Sequence, residues 1–265
     1  MNIDRIWTIS FSPTGNSKQI IEAIAADFAG VLIEHIDRTH PRGMPSIEFG
    51  GNDLVVIGVP VYAGRVAPLA VTRLQGLIGD RTPAVIVVTY GNREFEDALV
   101  ELKDITLKAG FIPIAAGAFI GEHSFSGPAT PIAAGRPDSH DLTTAKGFSE
   151  KIRAKLSNIG KFTTSHIPDV PGNRPYKDGM GKLPFTPLLL VDQCTECQLC
   201  VTACPTGAIS FNSQIAIDQN LCIFCCSCIK NCPEHALVID AAPVQQKRQA
   251  LFEQCSVRKE PQMYL

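Results

Sequence analysis

At 265 residues the chain is longer than most single domains, and at roughly 150 residues per domain it predicts two. It is 45% hydrophobic and 19% charged with a net charge of −2, enough apolar residue for an ordinary core and far from the composition of a disordered chain. Without a domain-wide excess of Lys and Arg, it lacks the electrostatic footprint of nucleic-acid binding, so nucleic acid is excluded as the expected partner.

In chain order, Met1 to Arg5 carry both signs of charge, and the short apolar stretch after them is broken by Thr8 and Ser10. No signal peptide is expected. Apolar runs such as Ala84–Val88 fall far below the roughly 20 residues that span a bilayer, so a cytoplasmic protein without a membrane span is expected. Strands are predicted at Ile6–Ser10, Val31–Ile36, Leu54–Val59, Ala84–Thr89 and Ile112–Phe119. Helices are predicted at Ser17–Phe28, Ala67–Ile78, Phe95–Ala109 and Leu142–Leu156. The strand segments are almost wholly apolar, which suits a parallel sheet covered on both faces. Residues 1–160 therefore predict a doubly wound, five-stranded α/β domain that binds its ligand at the carboxyl ends of the strands.

Residues 161–187 hold five Pro and three Gly and read as a linker. Residues 188–242 repeat at an offset of 28: Cys194, Cys197, Cys200 and Cys204 return as Cys222, Cys225, Cys228 and Cys232. Pro205, Ala208, Ile209 and Phe211 return as Pro233, Ala236, Leu237 and Ile239, so a small α+β module of two similar halves is expected. Residues 243–265 form a basic tail. By segment, residues 1–160 carry net charge −2, the linker +2, the cysteine module −4 and the tail +2. The basic linker and tail are thus expected to lie against the acidic module, with Leu183, Phe185, Leu251 and Phe252 adding apolar contacts.

Nine of the ten cysteines lie between Cys194 and Cys232, and with no export signal expected this favours metal or cluster ligation over disulfides. Each half reads C-x2-C-x2-C-x3-C-P, the run in which three thiolates wrap one cubane and the fourth ligates the other. One cluster then takes Cys194, Cys197, Cys200 and Cys232, and the other takes Cys222, Cys225, Cys228 and Cys204. Zinc knuckles favour C-x2-C pairs with a longer spacer and fit this doubled run poorly. Cys226 and Cys255 are expected to be unligated thiols. The module resembles the two-cluster bacterial-type ferredoxins, which implies two [4Fe–4S] clusters and low-potential one-electron chemistry.

After the first strand, Ser12-Pro13-Thr14-Gly15-Asn16-Ser17 brings hydroxyls, backbone N–H groups and a helix N-terminus together, as a phosphate monoester requires. The Walker and dinucleotide glycine patterns are absent. Ser12 to Ser17 resembles the flavodoxin phosphate loop. Pro60-Val61-Tyr62-Ala63-Gly64-Arg65 and Thr89-Tyr90-Gly91-Asn92-Arg93 resemble the two loops that hold the isoalloxazine ring in that family. The resemblance implies FMN, with Tyr62 and Tyr90 as stacking candidates, Gly64 and Gly91 allowing close backbone approach, and Arg65 and Arg93 as cations beside the ring. The long loop from Gly121 to His140 is expected to close over the flavin, with His123, Ser124 and Phe125 nearest. As a whole the chain resembles fusions of a flavodoxin-like domain with a bacterial-type ferredoxin domain. That implies electron transfer between clusters and FMN, with a redox protein or a small electron donor or acceptor as partner. The alternative is an FMN-dependent reductase of a small substrate, fed by the clusters.

Overall fold

The computed structural model describes residues 3–28, 30–41, 44–159, 163–179 and 181–265; the boundary expected at residues 160 and 161 lies outside them. The N-terminal part runs β1 (Arg5–Ser10), α1 (Asn16–Ala26), β2 (Leu32–Asp37), β3 (Ile47–Phe49), β4 (Asp53–Tyr62), β5 (Arg65–Val66) and α2 (Pro68–Arg73). It continues with β6 (Leu77–Gly79), β7 (Pro83–Tyr90), α3 (Ala98–Lys108), β8 (Ile112–Ile120) and α4 (Ser139–Asn158). The five long strands pair in parallel in the order β2-β1-β4-β7-β8, the flavodoxin-like doubly wound order. Alternate residues of each strand feed opposite layers. Ile9, Ile57, Ile86 and Val88 pack with Leu99 and Leu102 of α3, whereas Ile6, Val56 and Val85 pack with Ile20 of α1 and Phe148 of α4. Burial on both faces is why these strands read as unbroken apolar runs.

Three helices differ from expectation; the one predicted over Phe95–Ala109 begins at Ala98, after a turn in which the Ala98 N–H bonds Phe95 O at 3.0 Å. The one predicted over Ala67–Ile78 stops at Arg73, because Gly76 takes φ 86 and Leu77–Gly79 then pairs as a strand with β3. The last one starts earlier, at Ser139, because Asp138 caps it: its side chain accepts from the backbone N–H groups of His140 and Asp141 in a capping box.

The cysteine module contains β9 (Leu188–Leu189), α5 (Leu199–Thr202), β10 (Ile209–Asn212), β11 (Gln214–Ile217), α6 (Ser227–Lys230) and β12 (Leu237–Val238). β10 and β11 form a hairpin, and β12 pairs antiparallel with β9. Ile209, Ile215 and Leu237 pack with Cys200 and Cys228 in its core.

The tail is ordered and returns to the first domain. α7 (Ala242–Gln254) is followed by β13 (Gln262–Tyr264), which joins the main sheet antiparallel to β8, Met263 opposite Gly117. This corrects the expected docking by charge. Arg258 pairs with Asp138 at 2.6 Å and Lys259 with Glu94 at 2.8 Å; in the linker, Arg174 pairs with Asp104 and Lys177 with Glu96, both at 2.7 Å. These cations therefore meet first-domain carboxylates, and the cysteine module is held mainly by other contacts. Leu183 and Phe185 pack with Phe224, Cys226, Ile239 and Val244, while Leu251 and Phe252 pack on Ile132 and Phe125. Among the described residues, no helix is long and apolar enough to cross a membrane.

Candidate functional site

The loops at the carboxyl ends of β1, β4, β7 and β8 surround a cavity of about 490 Å³. From the loop between β1 and α1, expected above to hold a phosphate, Ser12, Pro13, Thr14, Asn16 and Ser17 line it. Gly15 is the N-cap of α1 with φ 84, a left-handed conformation that only glycine adopts without strain, and in the first turn the Lys18 N–H donates to Ser12 Oγ at 3.2 Å. The Gly15 N–H bonds Ser12 O at 3.0 Å, which closes the loop. The Ser17 hydroxyl is buried and hydrogen-bonds that of Thr89, tying the phosphate loop to the end of β7. Asn16 Nδ2 donates to Glu122 O at 3.0 Å, tying it to the long loop as well.

Pro60, Val61, Tyr62 and Ala63 line the cavity; Gly64 and Arg65 do not. Gly64 lies against Glu96, whose Oε2 would be 1.6 Å from a Cβ at that position. Arg65 forks onto Glu101 through Nε at 2.8 Å and Nη2 at 2.7 Å, and its guanidinium stacks 4.6 Å from the centre of the Tyr176 ring. The cation expected there beside a flavin is instead spent on α3 and the linker. Thr89, Tyr90, Gly91 and Arg93 line the cavity, but Asn92 turns to the tail. Its Nδ2 donates to Cys255 O at 2.7 Å and Val257 O at 2.8 Å. Tyr90 is a core residue at the cavity edge rather than an open stacking platform. It is 3% exposed, packs 5.5 Å from Phe95, and burial pushes its phenol up to about 12.

His123, Ser124 and Phe125 of the long loop line the cavity, as expected. His123 Nδ1 accepts the Phe125 N–H at 3.0 Å, so the neutral ring carries its proton on Nε2. Burial first, then Arg93, Lys230 and Lys247, lower its pKa to about 4. The loop itself is cross-linked: Arg136 is buried, pairs with Asp141, and donates to Lys259 O at 2.7 Å.

The opposite wall was missed from sequence. Leu183 and Phe185 of the linker, Phe224 of the second cysteine loop, and Pro243, Val244 and Leu251 of α7 close it. Phe224 meets Phe125 edge to face at 5.8 Å. Ser227 Oγ donates to Pro13 O at 2.5 Å, and Lys230 pairs with Glu122 and donates to Ser126 O at 2.9 Å. These bonds join the second cysteine loop to the phosphate loop and to the long loop. Tyr62 is near the same loop, and burial, then the thiols of Cys225 and Cys226, push its phenol well up.

Two smaller pockets lie inside the cysteine module. Cys194, Cys197, Cys200 and Cys232 line one, with Leu189, Ile215 and Leu237. Cys204, Cys222, Cys225 and Cys228 line the other, with Pro187, Ile209 and Ile217. The fourth cysteine of each run thus crosses to the pocket of the other. Four sulfurs in apolar surroundings fit a soft-metal or iron–sulfur group. As a free thiol Cys225 is pushed up to about 12 by burial, so ligation there would displace a proton. Cys226 also borders the second pocket; it is 1% exposed, its Sγ donates to Phe224 O at 3.6 Å, and burial keeps it a thiol. Cys255 is buried against Leu251 and Ile132.

A family model described as 4Fe-4S binding domain matches residues 190–210. Pyruvate synthase subunit PorD of Methanocaldococcus jannaschii is 36% identical over 55 residues, 20% of this chain and 64% of that protein, so the chain spans less than two thirds of that relative. Ferredoxin-2 of Chlorobaculum tepidum is 34% identical over 56 residues, 18% of this chain and 90% of that protein. Among solved structures, a flavodoxin from the domain Archaea aligns with a TM-score of 0.41 and 14% identity over 58% of this chain and 99% of its own. Flavodoxin 1 from Bacillus cereus aligns with 0.40 and 13% over 57% and 97%. At such scores the assignment of the first domain rests on its strand order. Through its C-terminal cysteine module the chain belongs to the 4Fe–4S ferredoxin family, with that module fused to a flavodoxin-like domain.

Proposed function

We propose that the chain is an electron-transfer protein that holds one FMN in the interdomain cavity and two [4Fe–4S] clusters in the cysteine pockets, and that passes electrons between them. The observation that carries this reading is Phe224. It lies between Cys222 and Cys225 and lines both the 490 Å³ cavity and the second cysteine pocket. The two sites therefore share Phe224 in their walls. When bound, the clusters supply one-electron chemistry and the flavin links it to two-electron chemistry.

The chain's own residues do the rest. The N-terminus of α1 and the Thr14 hydroxyl hold a phosphate; Val61, Tyr62 and Ala63 form one wall for a ring; Val244 and Leu251 of α7 exclude water. Neutral His123 offers a hydrogen bond there without a charge. The expected division at 161–187, 188–242 and 243–265 stands in this proposal with one amendment: the tail serves the first domain.

Cofactor content of anaerobically purified protein tests the reading: about eight iron, about eight acid-labile sulfide and about one FMN per chain are expected. About two zinc with no sulfide would refute it. Thr14→Ala should weaken FMN binding with iron unchanged. The second reading, an FMN-dependent reductase, is favoured by Lys247. It lines the cavity, is exposed, and has no carboxylate partner among the described residues, so a cation is left for an anionic substrate. Turnover of a small anionic acceptor, lost in Lys247→Ala, would select it.

A further inference from the structure

We infer that the outward face of the first cysteine loop is the docking surface for a one-electron carrier protein whose own cofactor edge is apolar and rimmed by Lys or Arg. This rests on the electron-transfer reading above and adds where electrons enter or leave.

The two halves of the internal repeat face different surroundings. An offset of 28 maps Glu196 onto Phe224, Gln198 onto Cys226, Leu199 onto Ser227, and Thr202 onto Lys230. The backbone keeps the equivalence: φ is 56 at Glu196 and 52 at Phe224, and 59 at Gln198 and 61 at Cys226. In the second half all four positions face inward. Phe224 lines the flavin-sized cavity and Cys226 packs in the same apolar cluster. Ser227 bonds Pro13 O, and Lys230 pairs with Glu122. In the first half the same four positions are exposed to solvent. The first loop therefore turns outward the same backbone surface that the second loop turns toward the cavity. Thiol burial differs at the matching position: Cys225 is buried, whereas its counterpart Cys197 is exposed, while Cys200 and Cys228 are buried in both halves.

The chemistry of this outward face specifies its partner. Three large aliphatic side chains stand out around the loop: Val191 is 63% exposed, Leu199 47% and Leu188 45%. Beside them Asp192, Glu196 and Glu234 are exposed, and none makes an ion pair among the described residues. No Lys or Arg occurs between Lys182 and Lys230, and Lys230 itself is turned to the first domain. An apolar centre with a one-sign rim is the arrangement of a transient protein interface, in which charge steers approach and apolar contact holds the encounter. A small reductant would need no such apolar centre.

The test uses the full holoprotein and, as probe, a ferric c-type cytochrome with a lysine-rimmed haem edge, with binding measured by calorimetry in both oxidised states. Wild-type protein is expected to bind, more weakly as salt rises. Asp192→Lys with Glu196→Lys should raise Kd at least about tenfold and flatten the salt dependence. Leu199→Ser should weaken binding while leaving the salt dependence intact. Glu150→Lys, which reverses an exposed carboxylate on α4, should leave Kd unchanged. The inference is overturned if wild type does not bind, if the double variant binds within twofold of wild type, or if Glu150→Lys weakens binding equally. Iron and flavin are counted in each sample; a missing flavin would sink the proposed function separately, since binding to the outward face is read whether or not the flavin is present.

Discussion

Ser227 and His123 show what single side chains do at this site. Ser227 is 1% exposed and donates to Pro13 O, with Ala203 O 3.1 Å away. Ser227→Ala leaves the Pro13 carbonyl without that donor, at a cost of about 1–3 kcal/mol. Denaturant unfolding should show that loss, with flavin retention falling and iron retained; a wild-type midpoint would contradict the role. The His123 pKa is held near 4 by burial, below the ordinary value of 6.5. The unfolded chain then binds the extra proton. His123 should cost no stability above about pH 6.5, progressively more as pH falls toward 4, and no more below that. His123→Gln should remove this slope from a stability–pH curve, whereas an unchanged slope would place its cause elsewhere. The two sets of four cysteines and the placing of the Ser12–Ser17 loop on the cavity wall were legible in sequence because each follows a motif of fixed spacing. Arg65 was not, because the partner that removes it from the cavity, Glu101, lies 36 positions away and is reached only through the fold.

Elements differed in legibility for a related reason. The five parallel strands are buried on both faces and announce themselves as β-branched runs. α7 buries only Val244 and Leu251 in its thirteen residues, too sparse a pattern to separate it from a charged tail. β13 is a three-residue strand that gains its meaning from the open edge of β8. Together they close the cavity and complete the sheet, held by Asn92, whose side chain donates to two carbonyls and accepts Lys259 N–H at 3.1 Å. Truncation after Asp240 should therefore weaken flavin binding, expose the edge of β8 and promote self-association, with iron content kept. Equal flavin affinity and a monomeric truncated protein, by titration and light scattering, would remove α7 from the site. Asn92→Ala should cost about 1–3 kcal/mol through the hydrogen bonds it strips from the buried Cys255 carbonyl and the part-buried Val257 carbonyl, read by denaturant unfolding.

At the scale of the whole molecule, the linker sets how the two parts meet, and one buried carboxylate fixes the linker. Asp97 accepts the backbone N–H groups of Asn173 at 2.8 Å and Lys177 at 2.7 Å. The bond from Lys177 first, then those from Asn173, hold its pKa below the ordinary carboxylate value against the opposing effect of burial. Its contribution is present above the unfolded value of about 3.9 and is lost as pH falls through the lower folded value. Proteolysis within 163–179 should be slow from pH 8 to 5 and rise only in stronger acid; Asp97→Ala should be cleaved readily at pH 7, and resistance of that variant would contradict the anchor. A linker's composition shows that it is not a helix or a strand, but not which surface it follows, since that depends on carboxylates of another element. Under the proposed function one chain carries both a flavin and two clusters. Anaerobic reductive titration followed by visible absorption tests it most directly. Uptake of about four electrons per chain is expected, two by flavin and one by each cluster, with bleaching of both chromophores; uptake of two or fewer, with either chromophore absent, would contradict it.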